Sequence, residues 1–356
     1  MSPYWFLFSL GAFFALTHSR TVPSNLYGSN WSLKWFMIFT VLVLMIGLRH
    51  EVGTDWSTYM MHLNDATGAS FAEALTQKDP AYGVLNWIAG HWGGIYLVNT
   101  ICAALYAWGL IAFCRQQPLP WLALAIAIPF LVIVVAMGVT RQGVAIGLTM
   151  LALVALGKGK ALQFVLWVAF AALFHKSAII LVPMAVLAGT KRKFWMVVWV
   201  GIVAVVLFIL LLQESLENLR SYYIEREIQS SGAAIRIAMN AIPASLFLLY
   251  RRRFSLPKGQ ERFWTWLSLS ALMFILVLYL SPSSAVVDRI ALYWLPLQVF
   301  VWSRLPIAFG NRPGNKIIWI ALVLSYSAAV MFVWLVFAAH AYAWLPYQFY
   351  PIVWLL

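Results

Sequence analysis

The sequence predicts an all-α polytopic membrane protein with about twelve transmembrane helices and short helices on one outer face. Three observations predict it. Of 356 residues, 63% are hydrophobic and 10% are charged. With a mean hydropathy of +0.84, the chain has too little polar surface for a soluble protein of this length. Apolar runs near the ~20 residues that cross a bilayer core recur along the whole length. Acidic and basic residues separate into alternating loops.

Residues 4–17 form the first run. It lacks the basic start and small-residue cleavage site of a signal peptide, so it reads as a retained span. Residues 33–48 follow and end at the charged stretch RHEVGTDWSTY, residues 49–59. Further spans are read at 95–113, 119–137, 141–157, 161–174, 177–190, 194–212, 234–250, 263–280, 286–303 and 316–338. Residues 161–174 and 177–190 are short, and they read either as two spans or as one broken or re-entrant pair around FHKS at 174–177. Two outer loops exceed simple connectors. Residues 49–94 contain SFAEALTQ, a short amphipathic helix, with Pro80 as punctuation. Residues 213–233 read as a helix end and a charged loop closed by Gly232. No soluble domain separates from the rest, so residues 1–356 read as one transmembrane domain. Cys102 and Cys114 lie within or at the end of one span and suggest neither a disulfide nor a metal cluster. The 19 Trp and 23 Phe read mainly as lipid-facing or interfacial residues.

With the N-terminus outside, the inner loops hold Arg20, Lys34, Arg115, Lys158, Lys160, the KRK at 191–193, the RRR at 251–253, Lys258, Arg262, Arg304, Arg312 and Lys316. Basic residues hold cytoplasmic loops inside. The net charge of +13 therefore reads as topology, not as a nucleic-acid footprint. Every acid except Glu261 falls outside, as does every histidine except His18. Groups able to do acid–base work are thus expected on the outer face.

Several outer charges sit at span ends: Arg49 and His50, Arg141, His175 and Lys176, Arg236, and Asp288 with Arg289. An ionisable residue near hydrocarbon costs ~2–3 kcal/mol or more unless it faces protein or water. A shared polar cavity is one solution. Each position also has a plainer reading. Arg49 can snorkel to headgroups, and His175 can be a satisfied interior histidine. Asp288 and Arg289 are adjacent, so they do not face each other on a helix. Arg141, with Gly138 and Gly143 nearby, is the hardest to dismiss, because an arginine at a helix N-terminus is an anion site. Converging arginines suit a phosphate or diphosphate. No Walker or Rossmann glycines, HExxH or paired Cys/His ligands occur, so neither a cofactor nor a metal is expected.

LRHEVGTDWSTYMMHL, KDPAYGVLNWI, TRQGVAIGLTMLAL, ALFHKSAIILVP and DRIALYW occur in that order between about residues 40 and 300. Together they resemble the motifs of the EpsG family, which is similar in role to the Wzy polymerases of exopolysaccharide, capsule and O-antigen. The resemblance implies a metal-independent membrane glycosyltransferase of the glycosyltransferase C-like fold in a bacterial inner membrane. It would move a growing glycan from undecaprenyl diphosphate to the non-reducing end of a new lipid-linked repeat at the periplasmic face. Implied partners are that lipid-linked oligosaccharide, the bilayer, a chain-length regulator and a flippase, and no nucleic acid. On this reading Arg49, Arg141 and Arg289 hold the diphosphate, with Arg236 or Lys176 in reserve. His175, Asp55, Asp288 and His50 are the candidate bases, with His175 and Asp55 ranked equal. Asp288 alternatively orients an arginine. Tyr59 and Tyr82 are candidates to stack on sugars, with packing as the alternative for each.

Four rivals remain. An O-antigen ligase uses the same lipid donor and the same chemistry. A transferase using polyprenyl-phosphate sugars, a different enzyme class, predicts acids early in the first outer loop, where Asp55 lies. A flippase or ion-coupled transporter predicts midplane charges and two similar halves, neither of which is seen in the sequence. A membrane scaffold leaves the outer arginines without a role.

Overall fold

The computed structural model describes residues 1–19, 31–184, 229–310 and 313–355. The span expected at 194–212, the last part of 177–190 and most of the 213–233 loop lie outside the described residues.

The chain opens with α1 (Ser2–Thr17) and α2 (Leu33–Gly47), followed by a two-residue strand β1 (Arg49–His50). Three helices fill the segment read as an outer loop: α3 (Trp56–Gly68), α4 (Phe71–Leu75) and α5 (Pro80–Trp92). Apolar helices return as α6 (Gly94–Cys114), α7 (Pro120–Ala136), α8 (Thr140–Gly157) and α9 (Ala161–Phe174). Beyond the undescribed residues come α10 (Ala233–Tyr250), α11 (Lys258–Leu280), α12 (Ser284–Ala308) and α13 (Pro313–Phe337). A second strand β2 (Gln348–Phe349) and a turn of helix α14 (Tyr350–Val353) end the described chain. Among the described helices, α6, α8, α10, α11, α12 and α13 are long and apolar enough to cross a membrane, and α1, α2, α7 and α9 are shorter apolar helices. The protein is an all-α, multi-pass membrane protein.

Local chemistry sets the loop helices. Ser70 Oγ accepts the Glu73 N–H, and the Glu73 carboxylate accepts the Ser70 N–H at 2.7 Å. This reciprocal cap starts α4 inside the expected SFAEALTQ helix. Pro80 opens α5, where its missing N–H costs nothing. The second half of α7 is wound as a π-helix, Ile128–Ala136. The wider turn frees backbone carbonyls for other partners, and the Ile133 carbonyl accepts the Trp344 indole N–H at 2.7 Å.

α8 is the central helix. It packs between α6 and α9, and 78% of its apolar window is buried, against 28% for α11, which turns an apolar face outward. A Cβ on Gly109 would overlap the Gly147 carbonyl, and one on Gly147 would lie 2.6 Å from Tyr106 Cα. The α6–α8 crossing is therefore backbone on backbone, as small residues permit between membrane helices.

The two ends of the helices differ in charge. Lys316 Nζ donates to the Ser19 carbonyl at 2.6 Å, and Lys34 Nζ lies 2.8 Å from His18 Nε2, at the basic end. At the acid-bearing end, residues 341–350 fold back across α1, α2 and α7. Arg49 pairs with Phe349 and His50 with Gln348 in antiparallel register. Gly53 N–H donates to the Ala343 carbonyl, Tyr4 OH to the Trp344 carbonyl and Tyr347 OH to the Met45 carbonyl, each at 2.8 Å. Gly53 has φ +104°, and a Cβ there would sit 2.5 Å from the Met137 carbonyl oxygen. Only glycine fits that close, left-handed approach.

Candidate functional site

Arg141 is the second residue of α8, so its side chain starts at a helix N-terminus where backbone N–H groups lack partners. About a quarter of it, 24%, is exposed. Its Nη1 donates to Asp79 Oδ2 at 3.0 Å. Asp79 is buried, and its other oxygen accepts the Lys176 backbone N–H at 3.3 Å. Burial pushes the Asp79 carboxyl above its usual range, although Arg141 opposes this. The rings of Tyr59 and Tyr82 flank the Arg141 guanidinium, with centroids at 6.0 and 5.7 Å. Both residues are 3% exposed, so little of either ring is open to a sugar, and their burial fits packing.

A cleft of about 270 Å³ opens here, lined by His62, Gln77, Lys78, Asp79, Tyr82 and Arg141. Burial lowers the pKa of Lys78. Asp79 opposes that shift, while Arg141, Lys176 and Arg289 add to it. Lys78 is therefore within electrostatic reach of all three cations, and Arg141, Lys78 and Lys176 act on the buried Asp79 carboxylate. Lysine and arginine groups so arranged favour a ligand with more than one negative charge. Larger spaces exist elsewhere. One of about 420 Å³ sits at the basic end beside Trp264, Phe300 and Arg304, and an apolar one of about 600 Å³ lies along α10 and α11. Neither gathers comparable charges of both signs.

His175 follows α9 and borders the same cluster. Its Nδ1 and the Ser177 hydroxyl are 2.6 Å apart, and Ser177 donates to Tyr293 OH at 3.1 Å. Burial, then Arg141, Arg289 and Lys78, push the imidazole down to about 3, so it is neutral in ordinary conditions. Asp55 is half-buried one turn before Tyr59. It adds to the burial that lifts the Tyr59 hydroxyl to about 12, and it acts electrostatically on Arg141.

Other expected residues are placed differently. Arg49 has no exposed surface. Its guanidinium donates to the carbonyls of Ile46 and Val52, to Thr140 Oγ1 at 2.7 Å and to Asn99 Oδ1 at 3.4 Å. It sits behind Arg141, tying α2, α6 and the start of α8 together, where a direct contact with diphosphate is blocked. Asp288 is gripped by Arg236 through two bonds, 2.7 and 2.6 Å, and by Ser230 at 2.9 Å. The pair holds α10 to α12 and positions the next residue, Arg289, so the orienting role is the one its geometry fits. His50 Nδ1 lies 2.6 Å from Tyr96 OH, in a separate aromatic cluster.

Sequence reasoning missed Asp79 and Lys78 as site residues. They stand in the KDPAYGVLNWI motif, immediately before a proline that starts a helix, and that position was the available signal. Among the described residues, no three His, Cys, Asp or Glu side chains gather as a metal-ion cage.

A family model described as the EpsG family matches residues 33–349. This extends past the 40–300 range of the motif resemblance and takes in the C-terminal segment that pairs with β1. No curated protein and no solved structure matches the chain.

Proposed function

The chain belongs to the EpsG family, the family of Wzy-like polysaccharide polymerases, and from that premise we propose that it transfers a growing glycan from undecaprenyl diphosphate to the non-reducing end of a new lipid-linked repeat. On this reading it is a twelve-span, glycosyltransferase C-like enzyme of a bacterial inner membrane, with its acid-bearing end in the periplasm. It works without a metal. A flippase supplies its substrate, and a chain-length regulator is its partner.

The observation that carries the proposal is the cleft lined by Arg141, Lys78 and Asp79, where Arg141 meets Asp79 at 3.0 Å and Lys176 and Arg289 act electrostatically on Lys78. Arg141 is the residue we assign to the diphosphate first, with Arg289 and the two lysines completing the site. An acceptor hydroxyl attacks the anomeric carbon of the growing chain. The bond from that carbon to the diphosphate oxygen breaks, and its electron pair leaves on the diphosphate. Preorganised cations aimed at that growing charge supply the main catalytic term. Asp79 fixes the direction of Arg141 through their 3.0 Å contact.

A base must take the hydroxyl proton. Asp55 is our choice, because its carboxylate acts electrostatically on Arg141 and its side chain is half-buried one turn before Tyr59, which packs on Arg141. The depressed basicity of His175 and its contact with Ser177 argue for a neutral hydrogen-bonding role. The test is polysaccharide chain length on a gel, from cells producing Arg141→Ala or Arg289→Ala at normal levels. Each should cost at least ~10²-fold in rate and leave single repeats in place of polymer. Full-length polymer from both variants overturns the proposal.

A further inference from the structure

A second feature of the acid-bearing end is not used by the charge cluster. Trp56, Tyr96 and Tyr350, with His50, form one connected patch of half-buried rings. Tyr96 and Tyr350 stack with centroids 3.7 Å apart and planes 22° apart. Trp56 meets His50 at 5.8 Å and Tyr96 at 6.3 Å, and His50 meets Tyr350 at 6.5 Å.

The four rings come from four separate segments: β1, α3, α6 and α14. Backbone bonding sets them in place. The β1–β2 bridge and the Tyr350 N–H donated to the Leu48 carbonyl at 2.8 Å hold Tyr350 over Tyr96. The 2.6 Å contact of His50 with Tyr96 locks the imidazole at the edge. Glu51 stands at the rim, 4.0 Å from His50 Nε2, with 62% of its side chain exposed. It holds φ +50°, a left-handed conformation uncommon for a residue with a side chain.

Interfacial tryptophans and tyrosines of a lipid belt act singly, each with a polar tip among headgroups. This patch differs in that its rings come from four segments, are held against one another, and are edged by a carboxylate and an imidazole. That combination fits a sugar. The C–H face of a pyranose lies on aromatic rings, and its hydroxyls donate to a carboxylate or share protons with an imidazole. The patch is linked to the cleft through α3. Trp56 and Tyr59 lie three residues apart and so share a side of α3, and Tyr59 packs on Arg141. Asp55 immediately precedes Trp56 in the chain.

We propose that Trp56, Tyr96 and Tyr350, with His50 and Glu51, form a carbohydrate subsite that holds a pyranose ring of the repeat while the phosphates occupy the Arg141 cluster. The subsite rests on the polymerase reading for its substrate, yet it fails or stands separately.

The experiment uses the full chain in lipid nanodiscs. The probe is phosphate-free oligosaccharide, prepared by partial acid hydrolysis of the producing cell's own polysaccharide. Binding is read by saturation-transfer NMR and titration. The wild type should bind, and Trp56→Ala and Tyr350→Ala should each weaken binding about 3–10-fold, the worth of one ring contact. Tyr350→Phe restores the ring and should recover most of the affinity. Thermal melting of each variant separates lost contact from lost fold. Arg141→Ala should keep the affinity for this neutral probe while losing polymer. Equal binding by wild type and both alanine variants overturns the subsite, as does a wild type that binds no fragment. Binding that depends on the rings, in a protein whose Arg141→Ala variant still makes full-length polymer, keeps the subsite and sinks the phosphate assignment instead.

Discussion

Replacing Asp79 by Asn removes one charge from the centre of the cleft and little else. The amide keeps the shape and still offers an acceptor to the Lys176 N–H, which lies 3.3 Å from Oδ1. What is lost is the 3.0 Å ion pair with Arg141. Breaking a fully buried pair on one side costs ~3–5 kcal/mol, because the other charge is stranded. Arg141 keeps 24% of its side chain exposed, so water recovers part of that, and about 1–3 kcal/mol is expected. By the scaling of globular chains of 150–250 residues, this lowers the melting temperature by roughly 2–12 °C. The assay is thermal melting of purified protein, run as a cycle with Arg141→Gln and the double variant. The double variant should be less destabilised than the sum of the singles by about 1–3 kcal/mol. Polymer length should collapse in Asp79→Asn as well, since Arg141 loses its fixed direction. Additivity within ~0.5 kcal/mol, or a variant that melts with the wild type, refutes the coupling.

Other expectations follow from the same geometry. His175 has its folded pKa pushed to about 3 from 6.5. The unfolded chain therefore binds more protons between those values. Its stabilisation is fully present above 6.5 and is lost as pH falls toward 3, by up to about 1.4 kcal/mol per pH unit. Melting across pH 6.5 to 4.5 should fall more steeply in the wild type than in His175→Gln, and equal slopes contradict this. Gly109→Ala drives a methyl into the Gly147 carbonyl. The α6–α8 crossing must then open, at a cost of about 1–3 kcal/mol or more, seen as a lower melting temperature or loss of the monodisperse peak. Trp344→Ala empties a site 3% exposed and orphans the Ile133 carbonyl. It should cost about 3–5 kcal/mol and expose residues 49–56 to limited proteolysis, whereas unchanged protection there argues against a strapping role for residues 341–350.

Much of the architecture was legible because a membrane leaves a blunt imprint. Runs such as residues 263–280 and 316–338 became α11 and α13 with their ends moved by a few residues. The broken character around FHKS was visible too: α9 stops at Phe174, and a 3-10 turn, Lys176–Leu181, follows. Other features had no local signature. α3 lies in a charged stretch with weak apolar patterning, and it helixes because Tyr59 and Leu63 pack inward. The π-helical half of α7 is a packing response, invisible in its uniformly apolar sequence. The pairing of residues 348–349 with 49–50 joins segments some 300 apart in the chain.

The site divided along the same line. Arg141 was recognisable from its glycine-flanked helix start. Which way Arg49 points depends on the turn at Gly53 and on Thr140 and Asn99, all settled by tertiary contacts. Asp79 stood in plain view as one acid among several. What distinguishes it is a partner 62 residues away.

The central claim is that phosphates are held at Arg141. A structure of the full chain with undecaprenyl diphosphate bound tests it most directly. The account predicts phosphate oxygens about 3 Å from the Arg141 guanidinium, with Arg289, Lys176 or Lys78 on the remaining oxygens. Phosphates seated elsewhere, such as beside Arg304 at the basic end, with Arg141 unmoved from Asp79 and untouched by the ligand, contradict it.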